Sequence, residues 1–245
     1  MRFPLLRDLA HRDHEATERM DDPQCDIAAL HRTYAQFETV NRLVAGWQQA
    51  YRHHVRPVLR HDRLNTLLDI GAGGADVTRA IARWAHRDGF RLKITAADPD
   101  QRAYAWAMRH HPSVDMEFCP ALSSELVSQG RSFDVVISNH LLHHLTATDF
   151  QSLLHDSEQL AKSRVVHSDI RRSRIAYTLF SVGTRPFFRG SFIREDGLTS
   201  IRRSYTALEL HAVAPAGWRV HAQHPWRNLL IYDAVSPAAT EPNRP

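Results

Sequence analysis

One stretch constrains this chain more than any other: Leu67-Leu-Asp69-Ile-Gly71-Ala-Gly73-Gly74-Ala-Asp76-Val77, an apolar run that passes through an acid into three glycines and then into a helical pattern. Glycine is needed where a strand turns sharply into a helix and a ligand lies on bare backbone, because a β-carbon would clash or forbid the required φ. Gly71, Ala72 and Gly73 are therefore predicted to line a cofactor. A dinucleotide fingerprint would start at Gly71, but its sixth place is Asp76, whose charge at a helix N-terminus opposes a pyrophosphate. Asp98, twenty-seven residues beyond Gly71 and followed by Pro99, ends the next β-type run. A carboxylate at that strand end can accept hydrogen bonds from vicinal ribose hydroxyls. The ligand so implied carries a ribose and no diphosphate.

The rest of the pattern sets an α/β context. Short β-type runs at Thr66 to Ile70, Leu92 to Ala97, Val114 to Phe118, Phe133 to Ser138 and Arg164 to Ser168 alternate with helical patterns at Val77 to Ala85, Gln101 to His110, Leu122 to Ser128 and Thr148 to Ala161. That alternation predicts a doubly wound, mostly parallel sheet. Two further strands, Trp218 to Ala222 and Asn228 to Ala234, follow a capping box at Thr206 to Glu209 and bring the expected sheet to seven strands. Ahead of this domain, assigned to residues 64–235, helical periodicity between Ala28 and Leu59 predicts an N-terminal helical cap over 1–63. After Asp169 a basic run, an apolar stretch at Ile175 to Val182 and a turn-rich segment reaching Gly197 predict a lid at about 170–205. Residues 236–245 read as a flexible tail.

Composition narrows the class. The 245 residues carry 31 Lys+Arg and 27 Asp+Glu, a net charge of +4, with 43% hydrophobic residues. These are the proportions of a soluble globular protein. No run approaches a membrane span, the charged N-terminus lacks a leader's apolar core, and a cytoplasmic location is expected. Two cysteines, Cys25 and Cys119, suggest neither disulfides nor a metal knuckle. A charge of +4 is a weak nucleic-acid signature, so nucleic acid is not the expected partner.

In order along the chain, LLDIGAGGADV, Ala96 to Asp100, SFDVVISNHLLHHL at 132–145 and VVHSDIRRSRIAY at 165–177 resemble the class I S-adenosylmethionine-dependent methyltransferases over about Leu64 to Ala234. EDGLTSIRRSYTALEL at 195–210 and RMDDP at 19–23 look like a bacterial small-molecule subgroup, some of whose members are associated with polyketide or phenolic lipid pathways. The resemblance implies a Rossmann-like fold and S-adenosylmethionine as cofactor. It implies that Gly71 to Gly73 hold the methionine part, Asp69 its amino group, Asp98 and Pro99 the ribose edge, and Asn139 the region of the sulfonium. Two departures stand out. Where many relatives have an acid that contacts adenine, this chain has Phe118-Cys-Pro-Ala121, leaving Ala121 and backbone to do so; and Ala75 stands where many have a third glycine.

Methyl transfer from a sulfonium is an in-line displacement that chiefly needs collinear positioning away from water. For a hydroxyl acceptor a base helps, and His144 and His143 are the candidates, with packed or surface histidines as the alternative. His140, Arg171 and Tyr177 are the candidate acceptor contacts, although Arg171 and Arg172 also fit a partnership with Asp169 or a solvated charge run. No metal is expected, since neither HExxH nor a clustered carboxylate accompanies the histidines. The leading expectation is O-methylation of a small, largely apolar acceptor of phenolic or polyketide type. An RNA or tRNA methyltransferase and a non-catalytic cofactor-binding partner protein are the alternatives.

Overall fold

A computed structural model describes residues 9–110 and 116–234. Along it run α1 (Ile27–Val44), α2 (Trp47–Ala50), β1 (Leu64–Ile70), α3 (Asp76–Arg87), β2 (Arg91–Ala97), α4 (Gln101–His110), β3 (Met116–Cys119), α5 (Ser123–Ser128), β4 (Phe133–Asn139), α6 (Ala147–Leu160) and β5 (Ala161–Ile170). They are followed by α7 (Arg174–Gly183), α8 (Ile193–Arg203), α9 (Ala207–Val213), β6 (Trp218–Gln223) and β7 (Arg227–Asp233). The strands form one seven-stranded sheet in the order β3-β2-β1-β4-β5-β7-β6. β1 to β5 pair in parallel, while β7 runs antiparallel to β5 and β6 antiparallel to β7. The seven-stranded, mostly parallel α/β architecture is the one expected.

Period-two alternation explains why the sheet is covered on both faces. Leu67, Ile94, Val135, Ile137 and Val166 point to one side, where they meet Val77 and Ile81 of α3 together with Trp47, Tyr51 and Val55. Leu68, Ile70, Val136 and Val165 point to the other, against Leu126 of α5, Phe150 and Leu154 of α6 and Leu210 of α9. Chain order reverses between β1 and β4, so the carboxyl ends of those two strands frame the crevice where such sheets bind ligands.

Several local expectations change. The single N-terminal helix is broken at Gly46, which takes φ +65. A Cβ there would lie 2.4 Å from Gln223 Nε2, so the contact with the sheet edge selects the break. Beyond it, α2 passes through a π turn at Tyr51–Val55 and a 3-10 turn at Arg56–Val58. Residues 9–25 carry one short 3-10 turn, Arg19–Asp21, and otherwise run irregularly. β5 begins directly at the end of α6, because Ala161 both caps the helix and starts the strand. Gly197, read as part of a turn, lies inside α8; its missing side chain admits the Phe180 ring, which a Cβ would meet at 2.5 Å. Val114, the expected start of β3, and the expected tail at 236–245 lie outside the described residues.

Asp134 fixes the amino-terminal end of the crevice-forming pair. It is buried and accepts from Arg63 Nη2 at 2.6 Å, Thr66 N at 2.8 Å and Thr66 Oγ1 at 3.0 Å. Removing it strands the half-buried Thr66 N–H and hydroxyl on β1 and the Arg63 guanidinium before it, and each stranded donor costs about 1–3 kcal/mol. Asp134→Ala is expected to lower unfolding free energy by about 2–4 kcal/mol in urea denaturation, the sum of those lost partners; a loss under about 0.5 kcal/mol would contradict this role.

Candidate cofactor and acceptor site

The turn after β1 is held by backbone bonds. Gly71 N and Ala72 N donate to the Ala97 carbonyl at 2.8 and 3.1 Å, and Gly73 N donates to Asp98 Oδ2 at 2.7 Å. Gly71, Gly73 and Ala75 take φ of +69, +53 and +56. Only glycine adopts that region without strain, and Ala75, fully buried at the start of α3, is the departure noted from sequence. A Cβ on Gly73 would meet nothing within 4 Å. The space before this turn is open.

Asp98 is half-buried, and burial raises its pKa against the hydrogen bonds it accepts from Asp100 N and Gly73 N. Its Oδ1 takes Asp100 N at 2.9 Å, so each oxygen has made one bond. A carboxylate offers about four lone-pair positions, which leaves roughly two for a diol. Asp69 is buried, with Thr78 Oγ1 donating to Oδ2 while Oδ1 has no partner among the described residues. Burial pushes its pKa up to about 7, opposed by the Thr78 hydrogen bond and reinforced by Asp76 and Asp98. A buried acceptor without a donor is unusual and invites a ligand's N–H. Pro99 is exposed beside Asp98, and Ala121 is buried behind β3, with its N–H on the Cys119 carbonyl.

Asn139 ends β4, His140 follows it, and both are gripped by a residue that sequence reasoning missed. Arg227, fully buried at the start of β7, donates to Asn139 Oδ1 at 2.8 Å, His140 Nε2 at 2.8 Å and Ser168 Oγ at 3.0 Å. Asn139 Oδ1 also accepts from Trp47 Nε1 at 2.9 Å. Burial and the Arg227 guanidinium hold His140 well below the usual histidine range, so it is neutral, with Nε2 as the acceptor. No motif marks Arg227; its signal is a charge opening an inner strand whose residues Leu229 to Ile231 are apolar.

The histidines after β4 are set differently from the expectation of a free base. His143 is buried, with Nδ1 2.7 Å from Asp169 Oδ1 and Nε2 3.2 Å from Glu18 Oε1. Desolvation opposes its charge, but the two carboxylates outweigh it and raise its pKa to about 9. Both ring nitrogens are engaged, which leaves no lone pair for an acceptor's proton. His144, partly exposed, sets Nδ1 3.0 Å from Asp21 Oδ2 and Nε2 3.7 Å from Glu18 Oε1. His143 is therefore not a free base in this arrangement, a correction that comes from Asp169 and from Glu18, far upstream in sequence.

The remaining candidates are dispersed. Arg171 is half-buried, its N–H on the Trp226 carbonyl. Its neighbour Arg172 is neither solvated nor paired with Asp169: it is buried and donates to the carbonyls of Leu9, Ala10 and Ser204 and to Glu209. Tyr177, on α7, is buried against Leu9 and Ile201. It lines a cavity of about 360 Å³ with Ser181, Arg185, Arg194, Glu195, Leu198, Thr199 and Arg202, which none of the glycine-turn residues touches.

A family profile described as a methyltransferase domain matches residues 67–164, the segment from the glycine turn through β4 and α6. Over that segment the chain is similar to methyltransferase domains. Its similarity to a ubiquinone biosynthesis O-methyltransferase of Methylobacterium sp. (strain 4-46) is 30% identity over 132 residues, 52% of this chain and 50% of that protein. A protein of the same name from Rhizobium leguminosarum bv. trifolii (strain WSM2304) is 27% identical over 86 residues, 34% of this chain and 32% of its own length. The chain thus spans half or less of these curated relatives. Among solved structures, human N-acetylserotonin methyltransferase in complex with SAM gives a TM-score of 0.58 at 11% identity, covering 85% of this chain and 56% of that one. The plantazolicin methyltransferase in complex with SAH gives 0.54 at 12%, covering 85% and 89%. At such identities the likeness is one of fold.

Within the matched segment Gly73 separates fold from binding. Gly73→Ala is expected to cost about 1 kcal/mol of stability for its positive φ, while its methyl enters open space. Melting should fall by only a few degrees, and calorimetric affinity for S-adenosylhomocysteine by tenfold or more. Unchanged affinity would show that no ligand lies on this turn.

Proposed function

We propose that the protein is a methyltransferase that uses S-adenosylmethionine to methylate a hydroxyl on a small, largely apolar acceptor of phenolic or polyketide type. The observation that carries the cofactor assignment is the combination at one sheet edge of an open glycine turn, an Asp98 carboxylate with lone pairs to spare, and a buried Asp69 oxygen without a donor. Oxygen is favoured as the methylated atom because both curated relatives are named O-methyltransferases.

Bound S-adenosylmethionine supplies an electrophilic methyl group, and the chain's own residues orient, select and exclude water. Gly71 to Gly73 present bare backbone, Asp98 takes the ribose hydroxyls, and Asp69 accepts from the ammonium of the methionine part. Asn139 and His140, clamped by Arg227 and Trp47, form a rigid polar wall past β4. Arg171 opens the segment between β5 and α8 and Tyr177 lies within it on α7, and its exposed Ile175, Leu179 and Phe187 give it the apolar character of an acceptor-facing lid. Catalysis in this reading rests on alignment and desolvation, with no histidine required as a base.

Three measurements test it. Asp98→Ala should weaken S-adenosylmethionine binding by more than about tenfold, the scale of a charged hydrogen bond, and preferential binding of a nicotinamide dinucleotide by the wild type would reject the assignment. Asp69 gives the pH test. Its native pKa lies above that of the unfolded chain, so the native state holds a proton that the unfolded state has released, and the stability from that neutral acid is lost as pH rises through about 7. The cofactor's ammonium favours the carboxylate, so affinity should rise between pH 5.5 and 8, by up to about tenfold per pH unit below the pKa for one linked proton. Asp69→Asn should flatten that rise; an unaltered profile would remove Asp69 from the site. The acceptor itself is sought with radiolabelled cofactor and a fractionated lipid extract, where labelled phenolic ethers are the expected product and label in RNA alone would overturn the acceptor class.

A further inference from the structure

The cluster around Glu18 has a geometry that hydrogen bonding within the chain does not exhaust. His143 Nε2 and His144 Nε2 lie 3.2 and 3.7 Å from the same atom, Glu18 Oε1. One ligand atom from each of the three residues falls within 4.8 Å of the others. Tetrahedral zinc sites have bonds of about 2.0–2.2 Å to nitrogen and carboxylate oxygen, which places neighbouring ligand atoms about 3.4 Å apart. The two separations from Glu18 Oε1 bracket that spacing.

The outer partners are those that metal-bound histidines have. Each imidazole turns its Nδ1 to a separate carboxylate, His143 to Asp169 at 2.7 Å and His144 to Asp21 at 3.0 Å. Such a bond fixes the tautomer that leaves Nε2 as the ligating atom. Ser200 Oγ donates to Glu18 Oε1 at 2.8 Å and steadies the third ligand. Three carboxylates therefore surround two imidazoles. The cations nearby are turned elsewhere: Arg203 Nη1 stands 3.7 Å from Asp21 while its Nε and Nη2 serve the His143 and His144 carbonyls, and Arg12 donates to the carbonyls of His143 and Arg203. Glu18 and His143 are buried and His144 is partly exposed, which gives an ion a way in and leaves a fourth position for water or an oxygen ligand.

We propose that Glu18, His143 and His144 form a binding site for a divalent transition-metal ion of the zinc type. Two imidazoles and one carboxylate suit zinc or cobalt better than magnesium, which prefers oxygen donors and keeps its waters. The ion cross-links the irregular N-terminal segment, through Glu18, to the 3-10 turn Leu142–His144 that follows β4. Sequence spacing concealed it because Glu18 and His143 stand 125 residues apart. The inference is independent of the acceptor assignment, since its readouts need neither cofactor nor methyl transfer.

The full chain, stripped with a chelator and dialysed, is titrated with zinc against a chromophoric competitor and, separately, with cobalt. One tight equivalent of zinc is expected, together with an intense visible cobalt spectrum of tetrahedral type and a rise in melting temperature. Glu18→Gln and His144→Ala should each weaken zinc binding at least tenfold and abolish the thermal shift, and Asp21→Asn should weaken it by about ten- to hundredfold, as lost outer partners do. His53→Ala, on an exposed histidine elsewhere, should leave it unchanged. No tight equivalent in the wild type, a pale octahedral cobalt spectrum, or equal zinc affinity in folded Glu18→Gln and His144→Ala proteins would overturn the proposal.

Discussion

Three backbone N–H groups in one turn hold the site in register with the sheet. Those of Gly71 and Ala72 converge on the Ala97 carbonyl, and that of Gly73 reaches the Asp98 carboxylate. The bonds couple the end of β1 to the end of β2, so the turn and its acidic partner are one rigid body whose geometry is fixed before any ligand arrives. Positive φ at Gly71 and Gly73 is what lets the chain aim those groups, and open space before Gly73 is what remains. The parallel core, with apolar residues alternating to both faces, keeps β1 and β4 side by side so that Asn139 and His140 stand at the same edge.

A second device encloses that edge. The N-terminal segment is irregular in backbone but strongly tied: Glu18 to His143, His144 and Ser200; Asp21 to His144; and Arg12 to the His143 carbonyl. Asp196 of α8 accepts from Arg19 N and Met20 N at 2.8 and 3.0 Å, and buried Arg172 takes the carbonyls of Leu9 and Ala10. Residues 9–25, expected as part of a helical cap and including RMDDP, thus meet the turn after β4 and the helix α8. Their charges bind structure together at long range, which explains why His143 cannot serve as a free base.

The fold was legible because its signals are local. Strand-to-helix alternation, the glycine turn, Asp98 at a strand end and the Thr206 capping box each depend on a few adjacent residues, and each appears where expected. What was not legible depends on partners distant in sequence. Gly197 reads as a turn until Phe180 is seen to fill the space its Cβ would take. Arg172 reads as part of a solvated charge run until three backbone carbonyls and Glu209 are found around it. Arg227 carries no motif, yet it clamps Asn139, His140 and Ser168 together. A histidine's role cannot be read from its neighbours in sequence when carboxylates that hold it, Glu18 for His143 and Asp21 for His144, lie more than a hundred residues upstream.

The most direct test of the account is a crystal structure with S-adenosylhomocysteine bound. The nucleoside is expected across the Gly71–Gly73 turn, with its ribose hydroxyls on the Asp98 carboxylate and its amino group donating to Asp69 Oδ1. A nucleoside seated elsewhere, with the turn and both carboxylates untouched, would contradict it.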